Sequence, residues 1–366
     1  MRDFQNDDLI QLLADDESSL RMLALHFLSE GVAQETTILP GVLDGWDRWG
    51  VELAYPELPM LSHVPIPSTM VAECCQRAAD ILPGKKLTDT RTRCAGKLLE
   101  QVVCLPAAEL QPHQALIAET ASASKIFFRV DPVVLARRIA MLELDSDSLA
   151  QRLDSALETL SHQSDNTAAF HDGMAALEAL RFQHPDYIDM SAAIAQSPPD
   201  DSLQAVGFQL SMHSLIQFAQ TGAEVALAKH LIDARESIHS NAMEALVKIG
   251  SPLAAAHLIM QFEHADKGAQ RWIARGLQRV RADGLAEEVA RLRDTTQEPA
   301  LWLMLLVAEV RQFDSASLPR IADELGRVQV LSGALSDALK VYLRLFETGT
   351  GSRAIQQAFT SYLKRM

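Results

Sequence analysis

The stretch that decides the fold is "ALVKIGSPLAAAHLI", residues 245–259, where one apolar segment ends, Gly-Ser-Pro follows and a second apolar segment begins. Gly250 can take the left-handed conformation that satisfies the last carbonyls of a helix. Ser251 is a good N-cap, and Pro252 suits the first helical position, where its missing N–H costs nothing. We therefore predict one helix that ends just before Gly250 and a second that begins at Pro252. Helices joined this tightly run roughly antiparallel and bury facing stripes.

The same kind of joint recurs roughly every thirty residues. In each case two apolar residues three positions apart, and so on one helix face, precede a short polar or Gly-containing turn and another Ala- and Leu-rich segment. These pairs are Leu215 and Phe218, Leu246 and Ile249, and Leu277 and Val280. We predict that the turn at Gly250 has equivalents at Gly222 and Gly284.

An acidic residue followed five positions later by arginine marks several of the predicted helical pairs. It occurs as Asp16 and Arg21, as Asp147 and Arg152, and as Asp266 and Arg271. The acid can cap the second helix of a pair, and the arginine can bridge to an acid of its own or the neighbouring unit. With the joint, this pattern resembles HEAT repeats, particularly the short type found in phycobilisome lyases. The resemblance is clearest over residues 205–325, and it carries over no catalytic residue.

The composition favours the same architecture. Hydrophobic residues make up 48% of the 366 residues, but aromatic residues only 5%. A core of Ala, Leu, Ile, Val and Met suits helix packing better than β-sandwiches, which favour aromatic and β-branched residues. The most strand-like segment, residues 125–135, contains Pro132, which we interpret as the start of a helix. The predicted fold is all-α: a right-handed α-α superhelix, a HEAT-like α-solenoid of about eight to ten helical pairs.

We predict a single α-solenoid over residues 1–366 whose parts differ in regularity. A segment rich in proline and tryptophan interrupts the rhythm near the start, with one short helix around Trp46 and Trp49. The end units of solenoids are atypical because they cover an exposed apolar face. The parts are an atypical N-terminal cap with the Trp/Pro-rich segment at 1–67, degenerate helical pairs at 68–200, the clearest HEAT-like repeats at 201–326, and C-terminal capping helices at 327–366.

Charge limits the classes of partner. The net charge is −15, which argues against a nucleic-acid partner, because phosphate binding needs many Lys and Arg. The sequence starts with an acidic stretch, residues 1–17, which has neither the basic nor the apolar region of a signal peptide. No apolar run approaches the roughly 20 residues that span a bilayer. We expect a cytoplasmic protein with no membrane partner.

The four cysteines are Cys74, Cys75, Cys94 and Cys104. Their spacing does not match the paired C-x-x-C pattern of zinc sites. Free cysteines commonly behave as small buried residues, which is the interpretation we favour, with zinc binding or a redox pair as the alternatives. We expect no metal and no cofactor.

Catalytic motifs are absent from the sequence: it has no P-loop, no G-x-G-x-x-G after a strand, no H-E-x-x-H and no G-x-S-x-G. One HEAT-like enzyme, deoxyhypusine hydroxylase, uses repeated His-Glu pairs, which this chain lacks. DNA glycosylases with HEAT-like repeats use a basic concave surface, which the acidity of this chain argues against. His171 and Asp172 form a lone His-Asp pair, which we interpret as polar residues at a helix start. The remaining enzyme hypothesis is a HEAT-like lyase, or another accessory enzyme acting on a small molecule bound to a macromolecule.

Three arginines are the first candidates for binding. Arg271, Arg275 and Arg279 are four residues apart and so lie along one face of a helix predicted at 269–281. If that helix lines the concave surface, the guanidinium groups can hold carboxylates or phosphates. The alternative is a set of internal bridges to acids such as Asp266, Glu287 and Glu288.

Two further segments are candidates. Trp46 and Trp49 are three residues apart and can form a contact platform, although packing in an end-cap core is the alternative. Residues 84–97 are the most basic stretch and form either a solvated turn or a contact for an acidic group. A solenoid exposes an extended surface without a deep pocket, so we expect a non-enzymatic interaction scaffold that binds a protein partner through Arg271, Arg275, Arg279, Trp46 and Trp49.

Overall fold

The computed structural model describes most of the chain. The described residues are 6–30, 37–50, 64–83, 90–123, 131–184, 216, 222–233, 235–347 and 349–365. Within them every regular element is a helix, and no strand occurs. The predicted all-α class is confirmed.

The helices are mostly ten to seventeen residues long. In chain order they are α1 (Asn6–Gln11), α2 (Ser18–Glu30), α3 (Ile38–Trp49), α4 (Val71–Ile81), α5 (Thr90–Val102), α6 (Ala107–Leu110), α7 (Gln114–Ala123), α8 (Pro132–Met141), α9 (Ser146–His162), α10 (Thr167–Gln183), α11 (Glu224–Ala228), α12 (Glu236–Ile249), α13 (Pro252–His264), α14 (Lys267–Leu277), α15 (Leu285–Thr295), α16 (Pro299–Val310), α17 (Leu318–Leu325), α18 (Gly333–Leu345) and α19 (Thr350–Leu363). Short 3₁₀ turns lie at Leu12–Ala14, Ser68–Met70, Gln111–His113 and Ser315–Ser317.

The chain forms two compact units. Unit 1 contains residues 1–48 and 230–366, and unit 2 contains residues 49–229. The N-terminal and C-terminal segments therefore share a unit, which the order of motifs along the chain does not reveal. A single right-handed solenoid and its boundaries at 67, 200 and 326 stay predictions.

The joint that decides the fold forms as predicted. α12 ends at Ile249, and Gly250 adopts φ +59° while its N–H donates to the carbonyl of Leu246 at 3.0 Å. The hydroxyl of Ser251 then accepts from the N–H of Ala254 at 3.1 Å and caps α13. The left-handed glycine and the N-cap lie side by side, so the chain reverses with almost no loop.

The two glycines predicted as equivalents share the positive φ of Gly250, but Gly284 directly precedes α15, whereas Gly250 directly follows α12. Gly222 has φ +96° and Gly284 has φ +75°, and both lie outside helices. Leu277 and Val280, the counterparts of the pair before Gly250, are fully buried. The upstream pair at 215 and 218 lies outside the described residues.

Helices stack in two layers in unit 1. α12, α14, α16 and α18 pack in that order in one layer, and α13 packs on α15 in the other. Helices adjacent in sequence also pack on each other across the layers: α13 on α14, α15 on α16, and α18 on α19. This is a repeat-like helical architecture, in which each helical pair buries its apolar stripe against the next.

The N-terminal helices complete unit 1. α2 packs against α18, and the ring of Phe27 meets that of Phe313 edge-on with centroids 5.5 Å apart. Arg344 pairs with Asp15 at 3.0 Å. These contacts join residues roughly three hundred positions apart, so they contribute packing that a linear stack of neighbours lacks.

The acid–arginine pattern has mixed outcomes. Asp266 caps α14 by accepting from the N–H of Ala269 at 2.8 Å, as predicted. Arg21 is buried, and it donates to the backbone carbonyls of Asp15 at 2.7 Å and Asp16 at 3.1 Å. In α9 the capping acid is Asp145, two residues before the predicted one.

The helix around the tryptophans is longer than predicted. α3 starts at Ile38 and includes Pro40 in its first turn, where a proline is tolerated because those N–H groups have no partner inside the helix. The helix predicted to start at Pro132 is α8, capped by Asp131.

Unit 2 is also a stack of neighbouring helices. α4 packs on α5 and α7, α7 on α8, and both α8 and α9 on α10. Leucines and alanines of α9 and α10 form the core beneath them. No helix in the described parts of the chain has both the length and the apolarity needed to cross a membrane.

Candidate functional site

The predicted arginine row lies on α14 and the turn after it. α14 ends at Leu277, four residues before the predicted end, so Arg279 follows the helix. Arg271 and Arg275 are exposed, and Arg279 is half-buried. α14 lies between α12 and α16 in its layer, so a helix packs on each side of it.

Two of the three arginines bridge within unit 1. Arg271 pairs with Glu298, the residue before α16. Arg279 pairs with Glu244 of α12 at 2.6 Å, and its Nε donates to the carbonyl of Glu30 at 3.0 Å. The bridging alternative therefore describes both side chains, but with other acids than those expected.

Two of the acids that the sequence suggested as partners of the arginine row form other contacts. Asp266 accepts from the backbone at the start of α14, and Glu288 pairs with Arg291 at 2.9 Å. Helix periodicity shows which residues share a face, but only packing shows which neighbouring helix supplies the acid.

Arg275 differs from its neighbours. It is exposed and forms no ion pair with any described residue. Lys267 is also exposed on α14, and it too has no ion pair among the residues described. Since Lys267, Arg271 and Arg275 are spaced by four, they form one exposed stripe, which we call the cationic stripe.

Trp46 does not belong to a contact surface. It is 8% exposed and continues the apolar face of α3, whose other buried residues are Ile38, Leu39, Val42 and Leu43. Partner binding through Trp46 is therefore wrong, because a four-residue spacing puts its ring in the core. Trp49 is half-buried.

The cysteines and the basic stretch 84–97 are the other segments that the sequence singled out. Cys74, Cys75 and Cys94 are buried in helices, and Cys104 is exposed. Burial raises the pKa of Cys74 to about 12 and that of Cys75 to about 11, which keeps both as neutral thiols. Residues 84–89 of the basic stretch lie outside the described residues.

The lone His-Asp pair lies within a helix. His171 and Asp172 lie in the first half of α10, and Asp172 pairs with Arg137 at 3.1 Å. The described residues contain no group of three or more side chains that could hold a metal ion.

A cleft in unit 2 was not predicted. Its volume is about 280 Å³, and it lies between the start of α6, the end of α8 and the end of α10. It is lined by Pro106, Ala107, Ala108, Leu142, Glu178, Arg181 and Phe182. We call it the Phe182 cleft, because Phe182 is 62% exposed at its edge.

The carboxylate of Glu178 forms the polar floor of the Phe182 cleft. Its Oε1 accepts from the N–H of Ala107 at 2.7 Å and from Arg138 at 2.9 Å, and its Oε2 accepts from Arg138 at 2.8 Å. Arg138 also donates to the carbonyl of Leu105 at 2.6 Å. Both carboxylate oxygens thus accept hydrogen bonds from within the protein, and Glu178 holds α6, α8 and α10 together.

A buried ionic cluster in unit 1 was missed too. Arg293 and Glu309 are 0% exposed and form an ion pair, and Arg320 donates to the other oxygen of Glu309 at 2.7 Å. Burial raises the pKa of Glu309, although Arg293 and Arg320 lower it in part. Sequence did hold a signal, since Glu309 is the lone charged residue in the apolar segment 299–310.

Comparison with known proteins adds no family. No protein-family model matches the chain, and no curated protein matches it. Among solved structures, the crystal structure of an engineered protein aligns over 99% of this chain and 94% of its own, at 14% identity and a TM-score of 0.33. That score is too low to support a conclusion, so the candidate sites depend on their own geometry.

Proposed function

We propose that this protein is a non-enzymatic interaction scaffold that binds an acidic segment of a partner protein through the cationic stripe. The observation that carries the proposal is that Arg275 and Lys267 are exposed and form no ion pair with described residues, although they flank the paired Arg271. Both side chains keep their charge available to a partner.

Charge and placement support this assignment. The chain has a net charge of −15, so an exposed row of cations is unlike its average surface. The row lies on the central helix of three that pack side by side, where a partner can also touch the exposed residues of α12 and α16. Arginine is enriched among residues that dominate binding energy, because its planar group binds carboxylates with two hydrogen bonds.

The related expectations remain part of the proposal. Two-layer stacking in unit 1 supports HEAT-like repeats, and the acidity of the chain supports a protein partner over a nucleic acid. A cytoplasmic location and the absence of a membrane partner are proposed on the same composition.

Charge reversal tests the stripe. Partners captured by the wild-type protein are identified by mass spectrometry, and the affinity of each purified partner is measured by calorimetry. Arg275→Glu should lower the affinity for the specific partner by about thirtyfold or more, as expected for loss of a central arginine. The weakening should shrink at high salt, because ions screen exposed charges.

A matched control separates the stripe from net charge. Arg353 on α19 is also exposed and forms no ion pair with described residues. Arg353→Glu changes the net charge equally and should leave the affinity unchanged. Equal affinities of the Arg275→Glu and wild-type proteins for every captured partner would refute the stripe.

A further inference from the structure

We propose that this protein dimerises by exchanging its N-terminal helices between two copies of the chain. Unit 1 is built from two separate parts of the sequence, residues 1–48 and residues 230–366, and the whole of unit 2 lies between them in the chain. We call residues 1–48 the exchange segment and residues 230–366 the body of unit 1. The partner is a second copy of this chain, and the proposal does not depend on the cationic stripe.

The exchange segment has packing of its own. α1, the 3₁₀ turn Leu12–Ala14 and α2 pack on one another. α3 approaches this group closely, since a Cβ placed on Gly41 would lie 3.3 Å from Cδ1 of Leu13. The three helices therefore transfer from one body to another as a group that keeps its internal contacts.

Phe27 is the apolar centre of the contact between the exchange segment and the body. It is 2% exposed, and its ring lies edge-on to that of Phe313, which is fully buried. The guanidinium of Arg311 lies 4.7 Å from the centroid of the Phe27 ring. Undocking would expose the Phe27 ring to water, which is unfavourable in proportion to the apolar area. The place on the body is therefore filled either by the chain's own segment or by that of a second copy.

Charge makes this contact specific. Residues 6–30 contain six acidic residues and one arginine. The body supplies arginines to them: Arg344 pairs with Asp15 at 3.0 Å. Arg311 pairs with Glu30 at 3.2 Å. Opposite charges on the two surfaces favour this segment over other helices of the chain.

The connection through unit 2 gives the closed monomer no contact that an exchanged dimer lacks. The exchange segment is joined to its own body through residues 49–229, so the advantage of its own copy is one of effective concentration. The contacts of Asp15, Phe27 and Glu30 form identically when the segment comes from a second copy. Exchange of an identical element is for this reason an accessible route to dimers. The dimer fraction should therefore rise with protein concentration.

Cross-linking detects the exchange directly. Two full-length variants, Asp15→Cys and Arg344→Cys, both also carry Cys104→Ser to remove the exposed native thiol. They are co-expressed so that they fold together, and are then treated with a short bismaleimide. We expect a cross-linked dimer, because residue 15 of one copy lies beside residue 344 of the other. One chain that carries both cysteines checks the reach of the reagent by cross-linking internally at low concentration. Asp15→Cys mixed with Arg291→Cys, on α15 in the other layer, should give no cross-linked dimer.

Charge reversal tests the same exchange without a reagent. Asp15→Arg and Arg344→Asp each bring like charges together in a closed monomer and in a dimer of identical variants. A mixed dimer restores two opposite-charge pairs, so co-expression should raise the dimer-to-monomer ratio about fivefold over either variant alone, the effect of two exposed ion pairs of ordinary strength. Asp15 also accepts from the N–H of Glu17 at 2.9 Å, but this loss is the same with and without mixing. Asp15→Arg mixed with Arg291→Asp should show no such rise in sedimentation velocity.

Three results would overturn the proposal. One is a wild-type chain that stays monomeric at every concentration. The second is a double-cysteine chain that cross-links internally while the mixture gives no cross-linked dimer, because another surface then joins the copies. If the double-cysteine chain does not cross-link, the charge-reversal mixture decides, and an unchanged dimer-to-monomer ratio is the third.

Discussion

The guanidinium of Arg293 and the carboxylate of Glu309 form an ion pair in which neither side chain is exposed to solvent. Each ion is removed from water, and the attraction between the two ions offsets the hydration energy that each has lost. The pair connects α15 to α16, and Arg293 also reaches Glu324 of α17 at 3.5 Å. Three successive helices of unit 1 therefore share one buried charge cluster.

Loss of one partner should be strongly destabilising. We expect Arg293→Met to lower the free energy of unfolding by about 3–5 kcal/mol, because Glu309 is then buried with less compensation. Arg291 is the control: it lies two residues away and pairs with two acids, but it is half exposed. Arg291→Met should unfold at the same denaturant concentration as the wild type. Equal unfolding midpoints for the two variants would contradict the role assigned to the buried pair.

The joint between α12 and α13 predicts a conformation-dependent effect of alanine. Gly250 has φ +59°, so Gly250→Ala should destabilise by about 1–2 kcal/mol through left-handed strain. Gly333 is the first residue of α18, and a Cβ there meets open space. Gly333→Ala should therefore be neutral or slightly stabilising, because it restricts the unfolded chain. Chemical unfolding of both variants measures the contrast, and destabilisation of both to the same extent would contradict it.

Such local features are the ones that sequence could predict. The spacing of Gly250, Ser251 and Pro252 specified the joint because a C-cap, an N-cap and a helix start each depend on neighbouring residues alone. The all-α class followed from the same periodicities. Burial of Trp46 was open in the sequence, since a three-residue spacing of tryptophans fits a surface and a core equally well.

Features that join distant segments could not be predicted. The hydrogen bond from Arg279 to the backbone carbonyl of Glu30 depends on the N-terminal segment packing into unit 1, which no local pattern specifies. The Phe182 cleft likewise requires α6, α8 and α10 to meet. The exposure of Arg275 could not be predicted either, because the helices that pack beside α14 come from other parts of the sequence.

Two histidines of unit 1 should respond oppositely to the same substitution. Both ring nitrogens of His257 are buried and have no hydrogen-bond partner among the described residues. The His257→Leu variant should be more stable by about 1–3 kcal/mol, the cost of unsatisfied buried polar atoms.

His239 provides the comparison. Its Nδ1 lies 2.9 Å from the carbonyl of Asp233, and its ring stacks on Trp272 with centroids 3.8 Å apart. His239→Leu loses the hydrogen bond and the stacking, so it should lower the melting temperature, whereas His257→Leu should raise it. A fall in melting temperature for both variants, measured by differential scanning calorimetry, would mean that His257 is satisfied in solution, for example by water.

The arginine row should divide into structural and available members. Arg279 is half-buried, pairs with Glu244 through two hydrogen bonds and donates to the carbonyl of Glu30. Arg279→Ala should therefore lower the free energy of unfolding by about 1–3 kcal/mol, since hydrogen bonds to charged groups are lost and Glu244 is left partly buried. Arg275→Ala should leave the unfolding curve unchanged, because that side chain has no ion pair among described residues to lose.

A double-mutant cycle of Arg279→Ala with Glu244→Ala isolates the ion pair between these two residues. It should give a coupling energy that the cycle of Arg275→Ala with Glu244→Ala lacks. Equal couplings in the two cycles would show that the row acts as one electrostatic unit and that Arg275 is not distinct from its neighbours.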